Sequence, residues 1–166
     1  MKADKIYLVG FMGAGKTTVA RALARRLGWR AVDVDDLVEQ RERMRVSEIF
    51  AKRGEAYFRA AERAALAEQV AARHTVVATG GGTFVDPQNR ALINADGVSI
   101  WLDAPIERLI ARVPTDGRRP LAGNRAEFEQ LYAARLPCYQ QAHVRFDASG
   151  SAVEALVDAL VDWLER

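Results

Sequence analysis

One cysteine, Cys138, stands in the whole chain, so no internal disulfide can staple it. Such usage fits a reducing compartment. Histidine is almost as scarce. His74 and His143 lie far apart, without the spacing of metal ligands, which leaves a zinc site unsupported. No apolar run approaches the roughly 20 residues needed to span a bilayer. The opening Met1-Lys2-Ala3-Asp4-Lys5 lacks the apolar region and small-residue cleavage site of a signal peptide, so a cytoplasmic location is expected. A charge excess is missing too: 24 basic residues face 22 acidic ones, for a net charge of +2. That is too little for a nucleic-acid or membrane footprint. The basic residues therefore matter by position, as anion contacts, and not by number.

What is present suits one soluble domain. The chain has 166 residues, 49% of them apolar, enough to bury a core around a single sheet. Strand-length apolar runs alternate with helical patterns. Ile6-Tyr7-Leu8-Val9, Ala31-Val32-Asp33-Val34, Thr75-Val76-Val77-Ala78, Val98-Ser99-Ile100-Trp101-Leu102 and Val144-Arg145-Phe146 read as five strands. Helices are expected over 17–27, 36–43, 47–54, 55–73 and 152–164, with others opened by Pro87 and Pro105 and a further one resuming at Arg125. Residues 113–124 hold Pro114, Gly117, Pro120 and Gly123 among polar residues, and read as a mobile loop within the domain. The alternation implies a parallel sheet with helices on both faces and right-handed crossovers. Monomer is the expectation from size.

The strongest chemical signal is Gly10-Phe11-Met12-Gly13-Ala14-Gly15-Lys16-Thr17, which satisfies G-x-x-x-x-G-K-[ST] between an apolar strand and a helix. In such a P-loop the glycines let successive N–H groups point into one concavity, and the helix adds its positive end. Lys16 should neutralise phosphate charge, and Thr17 should offer a hydroxyl to Mg²⁺.

Asp33 and Asp35, two apart at the end of the second strand, share a face where open α/β sheets bind ligands. One can serve a metal and the other an acceptor hydroxyl. They read equally as a solvated strand end, with Asp36 able to cap the next helix. Gly80-Gly81-Gly82 after the third strand allows close approach by a ligand, or forms an ordinary turn. Arg59 and Glu62, at helical i, i+3 spacing, read by themselves as solvated surface partners, and Arg135 as bland. Arg118-Arg119-Pro120-Leu121 could bring cations over a transferring phosphate.

In order, these residues resemble the shikimate kinase family over nearly the whole chain. The carrying features are Gly10 to Thr18, Asp33-Val34-Asp35, Phe58-Arg59 with Glu62, Gly80-Gly81-Gly82, Arg119-Pro120-Leu121, and Arg135-Leu136-Pro137-Cys138-Tyr139. The resemblance implies a P-loop NTPase fold of nucleoside-monophosphate-kinase type, a five-stranded parallel sheet flanked by helices with a mobile lid. It implies that ATP phosphorylates the 3-hydroxyl of shikimate, a step of aromatic amino-acid biosynthesis. By the same resemblance Met12, Gly13, Ala14, Gly15, Lys16, Thr17, Thr18, Arg112 and Arg119 would bind ATP. Thr17 and Asp33 would organise Mg²⁺. Asp35 would meet the ring hydroxyls as candidate base, Arg59 and Arg135 would hold the carboxylate beside Gly80, Gly81 and Gly82, and Arg119 would be the lid arginine. Residues 36–62 would carry much of the substrate site, with Phe50 and Phe58 as walls.

This chain departs from the family pattern after its last strand, where Asp147-Ala148-Ser149-Gly150-Ser151 lacks the usual basic residue and proline. Base contacts would then rest on Arg112 and backbone. Asp103, at the end of an apolar strand, is the rival metal ligand, though before Ala104-Pro105 it reads like a helix cap. Kinases of gluconate or nucleoside monophosphates, and a non-catalytic sensor of shikimate-like compounds, are the competing readings.

Overall fold

The computed structural model describes residues 2–112, 124–150 and 152–166. Five strands form one parallel sheet: β1 (Lys5–Val9), β2 (Arg30–Asp33), β3 (Thr75–Ala78), β4 (Val98–Asp103) and β5 (Val144–Asp147), in the spatial order β2-β3-β1-β4-β5. β1 lies in the middle and is buried along its whole length, which is why it reads as a continuous apolar run with no alternation. The edge strand β5 alternates between half-buried and exposed positions instead.

Among the described residues eight α-helices join and follow the strands: α1 (Lys16–Leu27), α2 (Val34–Glu42), α3 (Val46–Arg53), α4 (Glu55–Glu68), α5 (Pro87–Asp96), α6 (Ile106–Arg112), α7 (Arg125–Tyr139) and α8 (Val153–Glu165). The crossover β1-α1-β2 runs one way across the sheet, and β3-α5-β4 runs the other. Right-handed connections therefore put their helices on opposite faces. α8 returns to pack on α1. The core between these layers includes Leu8, Leu23, Leu66, Ile100 and Leu160, all fully buried.

Most boundaries fall within a residue or two of the sequence reading, and the differences that matter lie at the end of α4 and between β2 and α2. The helix expected to run to Arg73 ends at Glu68, where Gln69 and Val70 N–H groups turn back onto Leu66 and Ala67 carbonyls. β2 stops at Asp33, and Val34 and Asp35 already belong to α2. The cap of α2 is Asp33, whose Oδ1 accepts from the Asp36 amide at 3.1 Å, so Asp36 does not play that part. Asp33 and Asp35 therefore sit on either side of a strand-to-helix junction, and do not alternate along one strand. The expected lid, with Arg118 and Arg119, lies outside the described residues apart from Asn124, which caps α7 by accepting from the Glu127 amide. Among the described residues no helix is long and apolar enough to cross a membrane.

Candidate active site

The carboxyl ends of β1, β2 and β3 open into a cleft of about 270 Å³, at the place where chain connections from β1 and β3 diverge. Its lining joins Met12, Gly13, Gly15, Lys16, Thr17 and Thr18 from the P-loop to Asp33 and Asp35, Thr79, Gly80, Gly81 and Arg112. Ala14 is buried on the protein side of the loop.

The loop owes its shape to glycine at two points. Gly13 has φ +83°, and a β-carbon there would meet the Leu109 carbonyl oxygen at 2.5 Å. Gly15, at φ +87°, takes the left-handed turn that starts α1. Lys16 is mostly buried, and its ammonium donates to the Gly10 and Phe11 carbonyls at 2.7 and 2.8 Å, so it is held along the loop it serves. Thr17 Oγ1 donates to Asp33 Oδ2, which brings hydroxyl and carboxylate together at the mouth of the loop. Asp103 is committed elsewhere. Its Oδ2 accepts from Arg145 Nε at 2.8 Å, and neither residue lines the cleft.

The triple glycine organises the opposite wall. A β-carbon on Gly80 would fall 2.9 Å from Asp35 Oδ1, one on Gly81 3.2 Å from an Arg135 guanidinium nitrogen, and one on Gly82 2.6 Å from both terminal nitrogens of Arg59. Three consecutive positions thus each make room for one charged side chain, from α2, α7 and α4 in turn. Arg59, Arg135 and Gly82 are not among the residues that line the cleft itself.

Glu62 overturns its surface reading. Only 1% of it is exposed, and its carboxylate accepts from Arg59 at 3.1 and 3.3 Å and from Thr83 Oγ1 at 2.9 Å. Thr83 Oγ1 in turn accepts from the Gly80 amide at 2.9 Å. A buried carboxylate needs such partners to offset its lost hydration. The chain Arg59–Glu62–Thr83–Gly80 therefore fixes the guanidinium and the glycine turn together. The Arg–Glu spacing announces a pair, but nothing in it encodes burial, and Thr83 carries no sequence signal. Phe58 is buried and packs at 5.0 Å from Phe50, with the Arg59 guanidinium 5.2 Å from its ring, so both phenylalanines support the helix bearing Arg59 and are absent from the cleft lining.

Arg112 reaches the Gly13 and Gly150 carbonyls, both at 3.5 Å, bridging the P-loop to the turn after β5. Tyr139, fully buried at the end of α7, donates its hydroxyl to the Gly81 carbonyl. Burial pushes its phenol well above the ordinary tyrosine range, against the opposing pull of the Arg135 charge, so it keeps its proton.

A parallel sheet with a P-loop after its central strand, facing a cleft walled by fixed cations and carboxylates, defines a small-molecule phosphotransferase of the P-loop class. A family model described as Shikimate kinase matches residues 12–165, and the chain belongs to the shikimate kinase family. A shikimate kinase of Persephonella marina is 39% identical over 157 residues, covering 94% of this chain and 96% of its own. One of Gloeobacter violaceus is 46% identical over 154 residues, covering 90% and 86%. The shikimate kinase from Acinetobacter baumannii in complex with shikimate superimposes with a TM-score of 0.93 at 34% identity, over 98% of this chain and 93% of that one. These likenesses bear out the five-stranded fold of nucleoside-monophosphate-kinase type. A deoxyadenosine kinase from M. mycoides, at 16% identity and a TM-score of 0.67, shares the fold alone.

Proposed function

We propose that this chain transfers the γ-phosphoryl group of ATP to the 3-hydroxyl of shikimate, giving shikimate 3-phosphate. The observation that carries this reading is the run of three glycines that admits Asp35, Arg135 and Arg59 side by side, next to the P-loop. Two guanidinium groups fit a small carboxylate, and a neighbouring carboxylate fits ring hydroxyls. A nucleotide acceptor would call for a surface that reads a base.

In this reading the backbone amides of Met12 to Thr18 cradle the phosphates, with Lys16 balancing charge as it develops on the transferring group. Arg112 and the backbone near Gly150 hold the adenine end, and Arg119 is the residue assigned to close over the phosphates. Arg59 and Arg135 clamp the acceptor's carboxylate beside Gly80, Gly81 and Gly82. Asp35 accepts the hydroxyl proton or orients the hydroxyl in line, and positioning is its larger contribution because the transition state is loose.

The hydroxyl of Thr17 and the carboxylate of Asp33 are hard oxygen donors already side by side in the cleft. That set suits Mg²⁺, which takes one or two protein oxygens and completes its shell with phosphate and water. When bound, the ion would neutralise charge on the β- and γ-phosphates. From its size we propose a monomer, acting in the cytoplasm, where ATP is available.

A coupled assay with ATP and Mg²⁺, run on shikimate beside gluconate and nucleoside monophosphates, tests the reading. Turnover confined to shikimate is expected. Turnover on another acceptor in its place, or binding of shikimate with no ADP released, would overturn it.

A further inference from the structure

The buried hydroxyl of Tyr139 has no part in the chemistry above, yet it reaches the acceptor wall. We propose that Tyr139 is a positioning residue for the acceptor carboxylate: its single phenolic proton locks the Gly81 carbonyl, and with it the turn against which the Arg135 guanidinium packs. The proposal rests on the acceptor reading given above.

A phenol has one proton to donate and lone pairs to accept with. Here the proton goes to the Gly81 carbonyl oxygen. The Arg135 guanidinium lies close enough for its charge to pull against the burial of the phenol. Fixing the Gly81 carbonyl fixes the turn that Arg135 crowds, since a β-carbon on Gly81 would lie 3.2 Å from its guanidinium. Arg135 is only 7% exposed, and on its far side the guanidinium sits 5.7 Å from the centre of the Phe11 ring. Phe11 is itself a P-loop residue, so its ring ties Arg135 to the phosphate loop while Tyr139 ties down the Gly81 turn that Arg135 packs against.

The ring of Tyr139 is anchored independently of its hydroxyl. It is fully buried and stacks on Trp101 at 6.2 Å between centroids, with 28° between planes. Tyr139→Phe should accordingly keep the packing and remove only the hydroxyl. The Gly81 carbonyl then loses its donor, so the turn and the guanidinium packed against it are free to shift.

The test is steady-state kinetics on Tyr139→Phe, with shikimate and with its neutral carboxamide analogue. The expected result is a KM for shikimate raised roughly tenfold, with kcat and the KM for ATP within about twofold of the parent. The preference for shikimate over the carboxamide should fall by a similar factor. In an Arg135→Ala background, Tyr139→Phe should add less than about a twofold effect, because the group it positions is gone. Equal losses towards shikimate and carboxamide, or a full extra loss in the Arg135→Ala background, would reduce Tyr139 to core packing and overturn the proposal. If the unsubstituted protein fails to phosphorylate shikimate, the acceptor reading itself is wrong. If it succeeds and Tyr139→Phe matches it, only the role of Tyr139 is lost.

Discussion

The two ends of the central strands carry similar side chains in opposite states. At the carboxyl ends, Lys16, Asp33, Asp35 and Thr17 line an open cleft, and the backbone turns through glycines to make space beside them. At the amino ends, Lys5, Tyr7, Arg73 and Asp96 close upon each other. Lys5 lies 3.0 Å from Asp96 Oδ2 and has no exposed surface, Tyr7 donates to the same oxygen at 2.5 Å, and Arg73 donates to Asp96 Oδ1 at 2.6 Å. The comparison separates the function of charge from its mere presence. At one pole charge faces a volume that a ligand can fill, and at the other each charge is already matched within the fold. That distinction predicts which substitutions remove activity and which remove stability.

The sharpest break should come from Lys16→Met. Loss of a charge aimed at the transferring phosphate costs roughly 10³-fold in kcat, about 4 kcal/mol of transition-state stabilisation. Thermal unfolding should barely move. A large fall in melting temperature with little loss of turnover would show that the bonds from Lys16 to Gly10 and Phe11 are its main purpose.

At the other pole, Asp96→Asn should invert that pattern. Burial already lowers the Lys5 pKa, against the hydrogen bond and charge of Asp96. With the carboxylate gone, a buried ammonium loses its counter-charge, at a cost of roughly 3 kcal/mol or more. Urea unfolding should report that loss, while kcat and both KM values of the variant stay near those of the parent at a temperature where it is folded. A selective rise in the KM for shikimate would show that the two poles are coupled.

Gly82→Ala probes the cleft side with a smaller effect. The backbone at Gly82 has φ −102°, which alanine accepts, so the new methyl displaces the Arg59 guanidinium and leaves the chain path alone. The KM for shikimate should rise roughly tenfold, as when one charge-assisted contact is lost. Stability should fall by roughly 1–2 kcal/mol, since moving the guanidinium strips buried Glu62 of a charged partner. An unchanged KM would mean that Arg59 does not need its place against the turn.

The two poles were also unequally legible in the sequence. The P-loop is local: spacing, flanking strand and following helix all sit within about 20 residues of Lys16, and the structure forms it as read. The central strands β1, β3 and β4 were legible too, because continuous burial leaves an unbroken apolar run. The clamp was not. Arg59, Asp35 and Arg135 come from three helices and meet only at Gly80 to Gly82, so their pairing entered through family resemblance and not through any pattern around each residue. Glu62 looked like a surface partner because helical spacing is blind to what covers the helix. The strand–helix junction at Asp33 was misplaced by one or two residues, since Val34 continues the β-like run and yet starts α2. Nothing marked the amino-end network, whose members come from the start of β1 (Lys5), the segment before β3 (Arg73) and the end of α5 (Asp96).

The smallest expected effect concerns pH, and it belongs wholly to the closed pole. Burial by itself would raise the Asp96 pKa, but hydrogen bonds from Tyr7 and Lys5 and the Lys5 charge outweigh it and hold the carboxyl below its ordinary 3.8. A carboxyl depressed by folding contributes stability that is complete above its unfolded value and disappears as pH falls through the folded one. The parent should therefore lose stability with a steeper slope below about pH 4 than Asp96→Asn does, and the two curves should converge towards acid. Chemical unfolding followed between pH 6 and pH 3 would display this. Parallel curves would mean that Asp96 titrates alike in the folded and unfolded chain, and that its bonds to Tyr7 and Lys5 orient these groups without favouring its charged form.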